Sequence, residues 1–476
     1  MNRRGRVVVV ALVVALGSLW APTAYAKGQP KAPKEWDERV LPFVDFVEEQ
    51  RGLDFDHPVK VRFLSDKELE KELRSDQKLT KNERELDKQL AGELLALGLV
   101  GEQIDLSQAS EDLAAESVVG YYDPETEELV VRSKGAKSID ARVTIVHELV
   151  HTVQDQHFDI DKLYDKAKDG SQAYALDFLL EGDATTVENA YLDTLSPADQ
   201  DEYYGFVEDV VGEELPEGVP YALDVYSSAP YILGEAFVYA LDPEGGTSGR
   251  DRAFKNPPKT EEVLIDPVAL KQRQPAKKVP KPKLTKGEKR AYAPEQFGVI
   301  TLYLMLSTRL DARTALEAVT GWGGDRYVGF QKAGDACVRV NITGDTDLDT
   351  DQLEDALTAW MAEMPDGAVQ VSRDGEIVAF TACESEGVTE PTIESFESAF
   401  YNVLGGRVFT VLDVASAGVP LGTALCVGDF VSTDPEVIAL FDEVFAEGRE
   451  PTEAEYVILD DSYVEAFPAC GANFPA

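Results

Sequence analysis

The sequence predicts an α+β fold, and three observations point to it. The stretch "SVVGYYDPETEELVVRS", residues 117–133, alternates apolar and polar residues around Asp123-Pro124 and reads as a hairpin. Two segments further on, 139–157 and 173–192, carry apolar residues at three- and four-residue steps and read as helices. All four cysteines, Cys337, Cys383, Cys426 and Cys470, fall in the last third of the 476-residue chain, each pair enclosing an expected helix and strand.

The elements follow in chain order. Residues 1–26, "MNRRGRVVVVALVVALGSLWAPTAYA", combine a basic start, a short apolar run and Ala24-Tyr25-Ala26, the pattern of a cleaved secretion signal. The run is short and poorly flanked for a membrane span. The first folded unit is expected over 27–265. It opens with a helix in "WDERVLPFVDFVEEQRG", a strand over 58–64 and a charged helical stretch reaching Leu99, ahead of the hairpin and the two long helices. Residues 266–328 are expected to hold a basic, proline-rich connector (271–290) and a helical pair, "PEQFGVITLYLMLSTRL" and "DARTALEAVTGWGGDRY".

The remaining chain reads as two similar α+β units, 329–385 and 386–476. "ACV" at Cys337 leads to "AFTAC" at Cys383, and "LCV" at Cys426 leads to "AFPAC" at Cys470. In an exported protein an even cysteine count favours disulfides, so the expected pairs are Cys337–Cys383 and Cys426–Cys470. Each unit is expected to hold a helix, "DTDQLEDALTAW" or "STDPEVIALFDEVF", and then a strand, "AVQVSRDGEIVAF" or "EYVILDDSYVEAF". The acidic run 345–355 has Thr350 and Ala356 where a calcium loop needs glycine and glutamate, so helix capping accounts for it better.

Charge narrows the function. The chain carries 45 basic and 88 acidic residues, a formal charge of −43, which repels nucleic acid and anionic membrane surfaces. A polyanion is therefore not the expected partner.

The chemistry concentrates in "HELVHTVQDQH", residues 147–157, which holds three of the chain's four histidines. Val143, Val146, Val150 and Val153 form a stripe that buries one face of a helix. Four residues of helix turn about 400°, so His147 and His151 leave the same side one turn apart and suit one cation. Paired imidazoles in an oxidising compartment favour zinc. Glu148, beside the first ligand, is placed to take a proton from water at the metal.

A catalytic zinc needs a third protein ligand. His157 stands where the metzincins, with H-E-x-x-H-x-x-G-x-x-H, place theirs. That pattern uses glycine to break the helix, and here Gln154 occupies the place, leaving His157 about 120° off the His151 face. The other candidate is Glu181 on the second long helix, beside the expected stripe Leu180, Ala184, Val187 and Tyr191. A glycine within a helix costs about 1 kcal/mol, so Gly182 next to it signals a close approach to another helix. Glu188, Asp183 and Asp177 are the competing carboxylates.

"HELVH" followed by "EGDA", with "GYYDPETEELVV" upstream, resembles the gluzincin zinc metallopeptidases, the group that includes thermolysin. The resemblance covers roughly residues 40–240 and rests on two short motifs. It implies a catalytic domain with a small mixed sheet, His147, His151 and Glu181 as zinc ligands, and Glu148 as general base. Where thermolysin-like enzymes carry an aspartate four residues after the glutamate, this chain has Thr185, with Asp177 and Asp155 as substitutes to orient a histidine. No G-x-M-E-N aminopeptidase motif occurs, which favours an endopeptidase. Tyr231, in "YILG", is the expected oxyanion-stabilising donor, and the strand around Val130 the expected edge for peptide pairing. A zinc-bearing binding module without turnover, and a metzincin-like site with His157 as third ligand, remain the alternatives.

Overall fold

In a computed structural model of the chain, the structure describes residues 32–473 except 75–79, 134, 136, 212–214, 243–245, 267–275, 294, 447–448 and 450. The expected signal sequence and part of the basic connector lie outside the described residues. The architecture is mixed α+β, with two sheets and two disulfides.

The first unit begins with α1 (Leu41–Arg51), closed by Gly52 at φ 71°, a left-handed position that glycine takes without strain. Strand β1 (Lys60–Leu64) follows. Next come α2 (Asp66–Leu73) and α3 (Lys81–Leu97), each started by a reciprocal cap, Ser65 with Glu68 and Thr80 with Glu83. After α4 (Leu106–Ser117), β2 (Gly120–Asp123) and β3 (Glu128–Arg132) form the hairpin expected around Asp123-Pro124, with Tyr122 opposite Leu129. The sheet order is β1-β3-β2, with β1 parallel and β2 antiparallel to β3. Leu129, Val130 and Val131 are buried. The expectation that the strand around Val130 offers a free edge is therefore corrected: β3 is central, and β2 is the edge on the hairpin side.

Helix α5 (Ile139–Phe158) shares a core with this sheet and α1 through Val146, Val150 and Val153, while Val143 packs with Leu192, Tyr203 and Val207. Val143 is 1% exposed, and Val146, Val150 and Val153 are fully buried. Then follow α6 (Ile160–Lys166), α7 (Gly170–Thr194), α8 (Pro197–Val211), α9 (Tyr221–Leu241), α10 (Ser248–Lys255) and α11 (Glu262–Ile265). Leu180, Ala184 and Val187 on α7 are buried, and Tyr191 is half-buried, as the expected stripe requires.

The second sheet has the order β4-β5-β6-β8-β7, from β4 (Glu288–Arg290), β5 (Trp322–Lys332), β6 (Asp335–Gly344), β7 (Val369–Asp374) and β8 (Ile377–Cys383). All its pairings are antiparallel. The helical pair is present over Val299–Ser307 and Ala312–Thr320, but "GWGGDRY" does not continue it. Gly321 ends the second helix and Trp322 starts β5, where Trp322 is buried. The helix Asp347–Glu363 is capped reciprocally by Thr346 and Asp349, the capping role expected of the acidic run. "AVQVSRDGEIVAF" is a β7–β8 hairpin turning at Gly375, φ 62°. Cys337 on β6 faces Cys383 on β8, and the two are bridged.

The last segment is helical: Ile393–Glu397, a π-helical turn Ser398–Gly405, Gly406–Ser416, Leu421–Ser432, Pro435–Ala446 and Tyr456–Ala469. The bridge Cys426–Cys470 joins two of these helices. The strand expected in "EYVILDDSYVEAF" is thus corrected to a helix, and 386–476 is not a second copy of the strand-bearing unit before it. The reason lies in spacing: Leu459, Ser462, Tyr463, Ala466 and Phe467 turn inward at three- and one-residue steps, one stripe of a helix.

Candidate metal centre

Val146, Val150 and Val153 bury one face of α5 in the core it shares with α1 and the sheet, and His147 and His151 on the same helix meet Glu181 of α7. There the two imidazoles meet Glu181. His147 Nε2 lies 3.1 Å from His151 Nε2 and 3.1 Å from Glu181 Oε2, and His151 Nε2 lies 3.3 Å from Glu181 Oε2. Tetrahedral ligands about 2.0–2.1 Å from zinc are separated by about 3.3 Å, so the three atoms outline one face of such a site. Among the described residues, this is the group of histidine and acidic side chains whose ligand atoms converge closely enough to hold a metal ion.

The remaining imidazole nitrogens are held from behind. His147 Nδ1 donates to Glu188 Oε2 at 2.8 Å, and Glu188 Oε1 accepts from the Tyr203 hydroxyl at 2.8 Å. His151 Nδ1 donates to Gln154 Oε1 at 2.9 Å, while Gln154 Nε2 donates to the Leu180 carbonyl and to Asp183 Oδ2. Asp183 is in turn paired with Arg51 at 2.7 Å and Arg250 at 3.0 Å. Both Nδ1 atoms being donors, each Nε2 presents its lone pair to the cluster.

Two expectations about orienting groups are corrected. Asp155 accepts from the Tyr122 hydroxyl and the Ile160 amide, and Asp177 accepts from the Tyr164 hydroxyl. Glu188 and Gln154 do the orienting instead, and the Thr185 hydroxyl has no hydrogen-bond partner. The sequence signal was present: Glu188 stands seven residues, two turns, after Glu181 on the same helical face.

The three groups are electrostatically coupled. Burial disfavours charge on all three groups, yet His151 and His147 hold the Glu181 carboxyl down to about 2. Glu181, joined at His147 by Glu188, raises both imidazoles against the effect of burial.

Glu148 is 1% exposed and its Oε1 has no hydrogen-bond partner. Burial raises its carboxyl, while His151, His147 and the backbone amide of Tyr122 on β2 favour the charged form. Tyr231, from α9, is buried with its ring 5.9 Å from that of His147. His157 lies apart: its Nε2 bonds to the Asp54 carbonyl at 2.7 Å, so the helix continues through Gln154 and points it away from the cluster.

Gly182 does mark a close helix approach, but to α9 rather than to α5. A Cβ there would stand 2.2 Å from the Gly234 carbonyl oxygen. The crossing sets α9, and with it Tyr231, against the cluster. Beside it lies a cavity of about 380 Å³, whose lining includes Glu181, Tyr231, Asp177, Glu261 and Phe297.

A family model described as a domain of unknown function (DUF8575) matches residues 288–417. The match starts at β4, leaves out His147, His151 and Glu181, and includes Glu295, Gln296, Phe297, Thr301 and Tyr327, which line one side of the cavity. No curated protein and no solved structure matches the chain.

Proposed function

We propose that the chain is a secreted zinc metallopeptidase that hydrolyses peptide bonds as an endopeptidase, with His147, His151 and Glu181 as ligands. The observation that carries this reading is the triangle of donor atoms at 3.1–3.3 Å, with the buried Glu148 next to it in sequence. Zinc held there supplies Lewis acidity to the attacking water and to the scissile carbonyl. Glu148 takes a proton from that water and delivers it to the leaving amine. Its unpaired Oε1 is the atom free to do so. Glu188 and Gln154 keep the imidazoles oriented, and the Tyr231 hydroxyl steadies the developing oxyanion. The outer edge of β2, whose Tyr122 backbone faces Glu148, is the edge that aligns an extended peptide.

Export is supported by the N-terminal signal pattern. The two disulfides fit an oxidising, extracellular environment, and among the described residues no helix is long and apolar enough to cross a membrane. The test is metal analysis with cleavage of casein and a broad peptide library, on the protein and on Glu148→Gln. One zinc per chain and turnover that falls at least about a thousand-fold in Glu148→Gln, with zinc retained, is the expected result. Stoichiometric zinc without cleavage of any peptide identifies a binding module instead.

A further inference from the structure

The cavity beside the metal cluster has an unusual charge. Glu93, Asp177, Glu261 and Glu295 line it, with Glu181 as its link to the cluster, and the described residues that line it include no lysine, arginine or histidine. The described hydrogen-bond partners of three of these carboxylates are neutral. Glu93 accepts from Gln89 and the Tyr292 hydroxyl, Glu261 from the Ile300 amide, and Glu295 from the Gly170 amide.

A second observation is independent of the carboxylates. Gln296, 8% exposed, lines the same cavity, and its Oε1 is a buried acceptor with no hydrogen-bond partner. A buried acceptor left unmade costs about 1–3 kcal/mol, and a ligand carrying N–H donors removes that cost.

The walls between these acceptors are apolar. Leu90, Leu94, Leu97, Leu223 and Phe297 provide surface for a methylene stem. The aromatic hydroxyls are already engaged: Tyr174 donates to the Tyr226 carbonyl, Tyr226 bonds Thr301, and Tyr327 bonds Tyr292. Their rings add faces suited to a cation. The volume is that of a small-ligand site and holds a long side chain.

We propose that this cavity binds the cationic side chain, alkylammonium or guanidinium, of a lysine or arginine in the peptide that reaches the metal cluster. The identity of the peptide rests on the metallopeptidase reading; the recognition of the cation does not. Burial and like charge support it further. Desolvation pushes Glu93 and Glu261 up to about 7, with Glu295 acting on the first and Asp325 and Asp169 on the second. An incoming cation relieves that repulsion.

The experiment has two arms. In the first, n-butylguanidinium and the neutral n-hexanol are titrated calorimetrically into the full chain, into Glu261→Gln and into Glu295→Gln. The cation is expected to bind at least about ten-fold more tightly than the alcohol, and each substitution to weaken the cation at least about ten-fold while leaving the alcohol unchanged. Glu295, half-buried, serves should Glu261→Gln fail to fold. Equal affinity for both probes, or no binding of the cation, overturns the proposal.

In the second arm, N-acetylated peptides with arginine, lysine, leucine or glutamate beside the cleaved bond are compared with free-amine versions. Faster cleavage of acetylated arginine and lysine peptides supports the side-chain site. A preference seen only with free amines assigns the cation to the peptide N-terminus and overturns it. Binding of n-butylguanidinium with no cleavage of any peptide keeps the cation site and rejects the peptidase reading. Cleavage without cation binding does the reverse.

Discussion

Replacing Gly182 by alanine tests how tightly the α7–α9 crossing holds the His147–His151–Glu181 cluster. The new Cβ would meet the Gly234 carbonyl oxygen at 2.2 Å, where ordinary contact begins at 3.4 Å, so the helices must part by about 1.2 Å. Gly234 gives no relief, because a Cβ on it would already stand 2.6 Å from the Phe178 carbonyl oxygen. Overpacking costs about 1–3 kcal/mol, and a backbone-to-backbone clash belongs at the upper end. Alanine returns about 1 kcal/mol of helix propensity. The expected net loss is about 2 kcal/mol, read by urea denaturation. Glu181 adjoins the clash, and a shift of about 1 Å is half a zinc–ligand bond, so zinc affinity measured against a competing chelator should fall at least about ten-fold. Stability within about 0.5 kcal/mol of the parent, together with unchanged affinity, would refute the reasoning.

Glu188→Ala and Gln154→Leu should each weaken zinc by about 10–100-fold in the same chelator competition, since each frees one imidazole; equal affinity would assign them to packing alone. His157→Ala should leave zinc content and turnover unchanged, having lost a bond to the Asp54 carbonyl and a ring contact with Phe158, and loss of zinc would restore it as a ligand. Glu93→Gln should change how stability depends on pH. Burial raises Glu93 to about 7 from 4.5, so the folded state keeps a proton that the unfolded chain releases between those values. The carboxyl therefore costs nothing below about pH 4.5, increasingly opposes folding up to about pH 7, and holds a constant cost above it, about 3 kcal/mol. The glutamine's amide can donate to Gln89 Oε1, now unpaired, so the variant should match the parent at pH 4 and exceed it at pH 8. Parallel urea stability curves across that range would contradict this.

The sequence was most legible where local spacing and tertiary demand coincide. His147 and His151 one turn apart, the valine stripe beneath them and the glutamate thirty residues on are patterns within single helices, and the structure brings all three side chains together. Both disulfide pairs also followed from cysteine order. Legibility failed where a residue's role depends on a partner distant in sequence. Gln154 was read only as a missing glycine, yet it orients His151 through Leu180 and Asp183. The edge of the first sheet was misplaced because β1 inserts parallel to β3 from more than sixty residues earlier. The final helix was taken for a strand because tyrosine, valine and isoleucine favour strands until a helical stripe has something to pack against. The cavity was invisible because its walls come from α3, α7, α9, residues 295–301 between β4 and β5, and Tyr327 of β5.

The arginine buried at the end of α1 sets a limit on how the N-terminus can be trimmed. Arg51 is fully buried, pairs with Asp183 at 2.7 Å and Asp251 at 2.8 Å, and lies over the rings of Phe158 and Phe254. Asp183 is the residue on which Gln154, and through it His151, is braced. A protease that cuts ahead of α1 leaves this brace untouched, whereas one that removes α1 strands a buried carboxylate with Arg250 as its remaining described cation. Trimming that stops before residue 41 is therefore expected to leave the brace behind His151 intact, and removal of α1 to loosen it.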